Sequence, residues 1–206
     1  MLYLKKELAE DCLLGIWKID ETKEQLLSLW EDRQLIEEDV LKLHSEKRQT
    51  ERLAVRVLLK ELSGKETQLK YKPSGKVYIS GNDYRISVSH TNGYAAVILS
   101  TKREVSIDIE QFSDKVKRIS SKFISPDEYI DPQNELTHLL LHWSAKETMF
   151  KLLDWEGIDL KNHFHICKFE PANQGIISAY ETKSADTLSF DIHYSVSDNF
   201  VLTWIM

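Results

Sequence analysis

Asp108 and Glu110 alternate with Ile107 and Ile109 in the stretch "SIDIE". In a strand, side chains two apart share a face, so the isoleucines point one way and the carboxylates the other. Two carboxylates on one face suit a hard divalent cation such as Mg²⁺. A half-exposed strand with a solvated acidic face is the other reading. A second group lies in "HWSAKETMFK", residues 142–151, where Leu136, Leu140 and Trp143 mark an apolar helical stripe. Continued by a turn, that stripe reaches Glu147 and then Lys151. A buried glutamate needs a partner. A cation held by Asp108 and Glu110 would supply one, with Glu147 as third ligand and Lys146 and Lys151 neutralising phosphate oxygens. The simpler alternative is an intrahelical Glu147–Lys151 ion pair, worth about 0.3–0.5 kcal/mol.

Further cations are spread through the first half of the chain. Ser89 and His90 in "SVSHTNG" end a strand just before a turn, where a histidine can donate to a phosphate. Arg48, Arg52 and Arg56 recur at i, i+4 and i+8, either as a phosphate clamp or as a solvated polar face. Lys76 follows a turn glycine in "SGKVYIS". Taken together, carboxylates for one divalent metal and several cations for a polyphosphate describe phosphoryl-group chemistry on a nucleotide-like substrate. The sequence has neither GxxxxGK[ST] nor a GxGxxG after a strand, which excludes P-loop and dinucleotide-fold enzymes.

The elements that must position these residues are legible as pattern. Residues 22–43 read as one helix, carrying Leu26, Leu27, Trp30, Leu35, Ile36, Val40 and Leu41. Residues 46–62 read as a second, closed by Ser63-Gly64. Strands flank the Pro-Ser-Gly turn of "LKYKPSGKVYIS" and the Asn92-Gly93 turn of "YRISVSHTNGYAAVILS". "EVSIDIE" is another strand. "SPDE", residues 125–128, reads as a capping box starting a helix, and a long helix covers residues 132–153. The remainder is mostly strand. "SVSHTNGYAAVIL" and "SVSDNFVLTWI" echo each other, with Asp198 where the first has His90. If this is a duplication, the chain is two α+β halves, residues 1–103 and 104–206, that are not chemically equivalent.

The chain has 206 residues with a formal net charge of −6, so no bulk affinity for nucleic acid is expected and any anion site must come from local clustering. No apolar run approaches the ~20 residues of a membrane helix, and "MLYLKKELAEDC" has no signal-like apolar core, so a cytoplasmic protein is expected. Cys12 and Cys167 read as buried small hydrophobes rather than a disulfide framework.

"SIDIE" followed by "WSAKETMFK" resembles the paired signature of the 4′-phosphopantetheinyl transferases, (V/I)G(I/V)D-x-E and then W-x-x-K-E-x-x-x-K. Trp143, Lys146, Glu147 and Lys151 fit the second motif. "ISVSHTNGYAAV", "SGKVYIS" and "FISPDEY" resemble the family's flanking segments, in family order. Ser106 stands for the usual glycine and Val77 for the usual proline. The length resembles the Sfp-type subfamily, a monomer of two pseudo-symmetric α+β halves, each a small antiparallel sheet packed with helices.

The resemblance implies transfer of phosphopantetheine from coenzyme A to a serine of an acyl or peptidyl carrier protein, releasing adenosine 3′,5′-bisphosphate. Asp108, Glu110 and Glu147 would bind Mg²⁺, or Mn²⁺ in its place. Glu147 would take the serine proton, directly or through water, and Lys151 and Lys146 would stabilise the transferring phosphate. Arg48, Arg52, Lys76, Ser89 and His90 would hold the phosphates of coenzyme A. Carrier proteins are acidic around the modified serine, so Lys115, Lys117, Arg118 and Lys122 are expected to form the docking surface. The alternatives are another Mg²⁺-dependent transferase or hydrolase of a nucleotide diphosphate, and a non-catalytic α+β interaction domain.

Overall fold

A computed structural model describes residues 1–36, 40–81 and 84–206 of the chain. The fold is α+β, with antiparallel sheets and helices, and the chain divides into two compact units, Met1–Val105 with Met206 and Ser106–Ile205. Among the described residues no helix is long and apolar enough to cross a membrane.

The first unit begins with the hairpin β1 (Leu2–Ala9) and β2 (Cys12–Lys18). After α1 (Lys23–Ser28), α2 (Gln34–Ile36) and α3 (Glu46–Ser63) come β3 (Leu69–Tyr71), β4 (Val77–Ile79), β5 (Arg85–Thr91) and β6 (Tyr94–Ser100). The main sheet has the order β1-β2-β6-β5, and β3 and β4 form a separate pair. Helix α3 has Ser45 at its N-cap and ends at Gly64 in the left-handed conformation (φ 74°), the end that Ser63-Gly64 predicts. Its buried Leu53, Ala54, Val57 and Leu58 join Leu26, Trp30 and Val97 in one core. At Gly15 of β2 an added Cβ would stand 2.7 Å from a Leu58 methyl, so a side chain there would force Leu58 to shift in the packed core.

The single helix expected over residues 22–43 is broken. Helix α1 has a complete Thr22/Gln25 capping box, but it stops at Ser28. The Glu66 carboxylate accepts from the amides of Glu31 and Asp32, and Lys60 donates to Leu29 O. Backbone groups that a continuous helix would pair internally are thus taken by side chains. The stretch 37–39 and the Leu35 side chain of that expectation lie outside the described residues.

The second unit runs β7 (Ser106–Gln111), α4 (Lys115–Ile119), a 3₁₀ turn at Ser120–Lys122, α5 (Glu135–Leu153) and α6 (Leu160–His163). It continues with β8 (Phe164–Ile166), β9 (Gln174–Glu181), β10 (Ser189–Val196) and β11 (Phe200–Ile205), in the sheet order β7-β11-β10-β9-β8. Helix α5 packs on β7 and β11, burying Leu140, Leu141, Ala145 and Met149 with Phe123, Ile177, Ile192 and Val201. In both units a strand, a long helix and a closing hairpin recur, with strand orders β2-β6-β5 and β7-β11-β10. The echoed sequences are those two hairpins.

Two local expectations change here. "SPDE" starts no helix. Its Ser125 amide does donate to Glu128 Oε2, but Glu128 Oε1 takes the Ile166 amide, which fixes the segment as a turn against β8. Cys12 is buried as expected, whereas Cys167, just past the short strand β8, is exposed.

A buried carboxylate organises the β9–β10 connection. Glu181 accepts from the amides of Lys183 (2.7 Å), Ser184 (2.9 Å) and Leu188 (2.9 Å) and from the Ser184 hydroxyl. Burial alone would raise its pKa, but these donors outweigh it and hold the carboxyl down to about 2, against an ordinary 4.5. A depressed carboxyl stabilises the fold above its unfolded pKa, and that contribution is lost as pH falls through the folded value. Glu181→Gln is therefore expected to cost about 1.5–3 kcal/mol near neutral pH. Thermal melts of the two proteins should converge as pH falls from 4.5 towards 2; a gap that persists undiminished would contradict this account.

Candidate active site

Strand β7 and helix α5 supply the carboxylates. The strand presents Asp108 and Glu110 on the face opposite the fully buried Ile107 and Ile109. Ser106 does not have a positive φ, so the position before Ile107 does not require glycine, and its buried hydroxyl instead donates to Thr148 O of α5 at 2.7 Å. This bond ties the strand to the helix beside the acidic face.

Asp108 is almost fully buried. Its Oδ1 takes the Lys151 ammonium at 2.6 Å and its Oδ2 takes the Ser144 hydroxyl at 2.8 Å. Glu110 Oε1 accepts from Trp143 Nε1 at 2.7 Å, and the Trp143 ring meets Phe123 edge-on at 5.2 Å. Burial and the Asp108 charge, with a smaller contribution from Glu147, push the Glu110 carboxyl up to about 7; Trp143 and Lys151 only partly offset them. Burial and Asp108 also raise Glu147, against the pull of Lys151. The alternative of an intrahelical i,i+4 pair between Glu147 and Lys151 gives way to the Lys151–Asp108 ion pair, although Lys151 still lowers the Glu147 pKa.

Three carboxylates therefore feel each other in a half-dry setting with one ammonium among them. Among the described residues no three such side chains are drawn into a ready metal cage. The donor set nevertheless fits a hard dication: all oxygen, mutually repelling, and short of positive charge.

Lys146 is not part of this group. Its side chain is fully buried and its ammonium donates to Phe123 O (2.6 Å) and Glu128 Oε2 (2.8 Å). The phosphate contact expected of it does not fit that burial. Sequence spacing places Glu128 in a capping box and in the family-like "FISPDEY" segment, but it does not reveal a partner 18 positions away.

In the first unit, Arg48 is exposed on the first turns of α3, and the Arg52 guanidinium lies 4.4 Å over the Tyr71 ring. Arg56 is fully buried, with one nitrogen on Arg52 O and a hydrogen bond to the Tyr71 side chain. The three arginines do not make one line, because each i+4 step turns about 40° and α3 is largely buried from Glu51 onward. Ser89 is buried and His90 half-exposed, with its Nδ1 at 3.6 Å from Glu51 Oε2. Lys76 stands 3.7 Å from Glu104, which Arg85 also pairs. Glu51, Ser144, Thr148 and Thr203 are polar neighbours that sequence reasoning missed. Ser144 alone had a signal, its place inside "WSAKE".

Lys115, Lys117, Arg118 and Lys122 are all exposed along α4 and the following 3₁₀ turn, which Val116 anchors to the core. Lys117 is paired with Glu135 at 2.7 Å.

No curated protein matches the chain. Residues 104–205, which hold the acidic strand and the helix with Trp143, Lys146, Glu147 and Lys151, match the model of the 4′-phosphopantetheinyl transferase superfamily.

Proposed function

We propose that this protein transfers 4′-phosphopantetheine from coenzyme A to a serine of an acyl or peptidyl carrier protein, releasing adenosine 3′,5′-bisphosphate. The observation that carries the reading is the Asp108, Glu110, Glu147 and Lys151 group, assembled by a strand and helix of the matched region. Asp108, Glu110 and Glu147 would hold Mg²⁺ or Mn²⁺. The cation, when bound, would screen the pyrophosphate charge of coenzyme A. Glu147 takes the proton of the attacking serine, directly or through water, and burial and the Asp108 charge, which raise its pKa, make its carboxylate a stronger base than an exposed glutamate. Lys151 then balances charge on the transferring phosphate. Lys146 acts through the helix: its bond to Glu128 holds α5, and hence Glu147, in place. Arg48, Arg52, Lys76, Ser89 and His90 are assigned to the phosphates of coenzyme A. The protein is read as a cytoplasmic monomer of the Sfp-type arrangement, with coenzyme A binding assigned to residues 1–103 and the metal and catalysis to residues 104–206.

The test is the intact mass of an apo carrier protein incubated with this protein, coenzyme A and Mg²⁺. A gain of one phosphopantetheine group, absent with EDTA, is expected. No gain on either an acyl or a peptidyl carrier, with coenzyme A still bound, would sink the assigned reaction. Consumption of coenzyme A without any carrier would favour a nucleotide-diphosphate hydrolase.

The docking surface is read as the exposed Lys115, Lys117, Arg118 and Lys122. Reversing Lys117 and Arg118 to glutamate should raise the carrier KM roughly tenfold through lost charge complementarity, leaving the coenzyme A KM unchanged. Unaltered carrier kinetics would remove this face from the proposal.

A further inference from the structure

Behind Asp108 lies a run of three hydroxyls, each fully buried. Ser144 Oγ is 2.8 Å from Asp108 Oδ2, Thr203 Oγ1 is 2.8 Å from Ser144 Oγ, and Thr148 Oγ1 is 2.6 Å from Thr203 Oγ1. They come from two elements, α5 and β11, and end on one oxygen of a residue in β7. Each hydroxyl has a single proton, and that settles the direction of every bond. An ionised Asp108 only accepts, so Ser144 donates to it. Ser144 must then accept from Thr203, and Thr203 must accept from Thr148. The contact from Thr148 to Thr203 O is long, at 3.4 Å, and does not compete for the Thr148 proton. All three O–H dipoles therefore point at Asp108, and each bond strengthens the next.

We infer that the Thr148–Thr203–Ser144 chain is the positioning device of Asp108: it fixes Oδ2 and leaves Oδ1 as the oxygen offered to a cation. In the structure Oδ1 takes the Lys151 ammonium at 2.6 Å, so it already faces positive charge. The hydroxyls touch neither substrate nor metal; they act through Asp108, in the manner of groups that orient a metal ligand from behind. The inference rests on the metal reading above.

The test separates hydroxyl from shape. Thr203→Val keeps the volume and removes the hydroxyl, whereas Thr203→Ser keeps the hydroxyl and removes a methyl. Mn²⁺ binding to the purified protein is followed by electron paramagnetic resonance, without coenzyme A or carrier. Thr203→Val is expected to weaken Mn²⁺ binding about tenfold or more, and Thr203→Ser by no more than about twofold. Ser144→Ala, at a buried helical position where alanine keeps the helix, should match Thr203→Val and carries the test if the valine variant does not fold. A purely structural role predicts instead that Mn²⁺ affinity follows the thermal midpoints of the variants and is unchanged in any variant that melts like wild type. Equal affinities for wild type, Thr203→Val and Ser144→Ala overturn the inference alone. No Mn²⁺ binding by the wild-type protein overturns the metal reading and this inference with it.

Discussion

Glu147→Gln should abolish carrier modification while leaving the protein folded and at least as stable. The expected loss in transfer rate is about 10³-fold, the range for removing a positioned general base. The stability side follows from the sign of the pKa shift. Burial and the Asp108 charge raise Glu147 above its ordinary 4.5, so the folded protein disfavours the ionised form near neutral pH. A neutral glutamine of the same shape removes that unfavourable contribution. The thermal midpoint without metal should therefore stay level or rise. Intact-mass kinetics and thermal melts on one preparation check both halves. Transfer within a few-fold of wild type would remove Glu147 as base, and a marked drop in midpoint would mean that its charge supports the fold.

The second large effect belongs to the Glu128–Lys146 pair. Glu128 gathers three segments: Oε2 takes Lys146 and the Ser125 amide, and Oε1 takes the Ile166 amide. Glu128→Leu leaves the Lys146 ammonium buried with only Phe123 O as partner. Removing one side of a buried pair typically costs about 3–5 kcal/mol. For a chain of this size that lowers the midpoint by roughly 10 °C. Adding Lys146→Met in the Glu128→Leu background should recover the part of the loss that comes from the stranded ammonium, leaving the part that comes from the Ser125 and Ile166 amides without their acceptor. Lys146→Met alone should be the milder single change, since Glu128 keeps its two amide donors. If the double variant is no better than Glu128→Leu, the ion pair is not what the segment needs. A transfer rate that falls in step with stability supports a holding role for Lys146; a far larger loss in rate with the fold intact would return it to the phosphate.

The legible parts of this fold were those with local causes. Gly64, Gly75 and Gly93 all take positive φ, at the helix end and turns where the sequence places them. The alternation in "SIDIE" correctly separates Ile107 and Ile109 from Asp108 and Glu110. The errors share a different cause: side chains distant in sequence overrule local pattern. Glu66 interrupts a helical periodicity from more than thirty residues away, and the Ile166 amide and Lys146 tie Glu128 to distant segments while it still takes the Ser125 amide, so the segment stays a turn. The apolar stripe on α5 was also drawn too narrowly. His138, His142, Ser144 and Thr148 are buried as well, because His138 Nδ1, His142 Nδ1 and the two hydroxyls find partners inside the unit. The hydroxyl chain behind Asp108 was out of reach for the same reason: serine and threonine at 144, 148 and 203 mean nothing until β11 lies beside α5.

In both units the strand order has a kinetic consequence. Strand β6 lies between β2 and β5, and β11 between β7 and β10, so in each sheet an interior strand is the last of its unit to be made. Cys12 pairs across from Ser100, and Ser106 from Ile205. On the ribosome, neither sheet can be completed as its residues emerge; each nascent unit must wait, with its long helix lacking part of the surface it covers, until its final hairpin is released. Closing so long a loop late makes for slow folding and a period of exposed apolar surface. Stalled or prematurely terminated chains of this protein should therefore be substrates for chaperones and proteases rather than shorter folded forms.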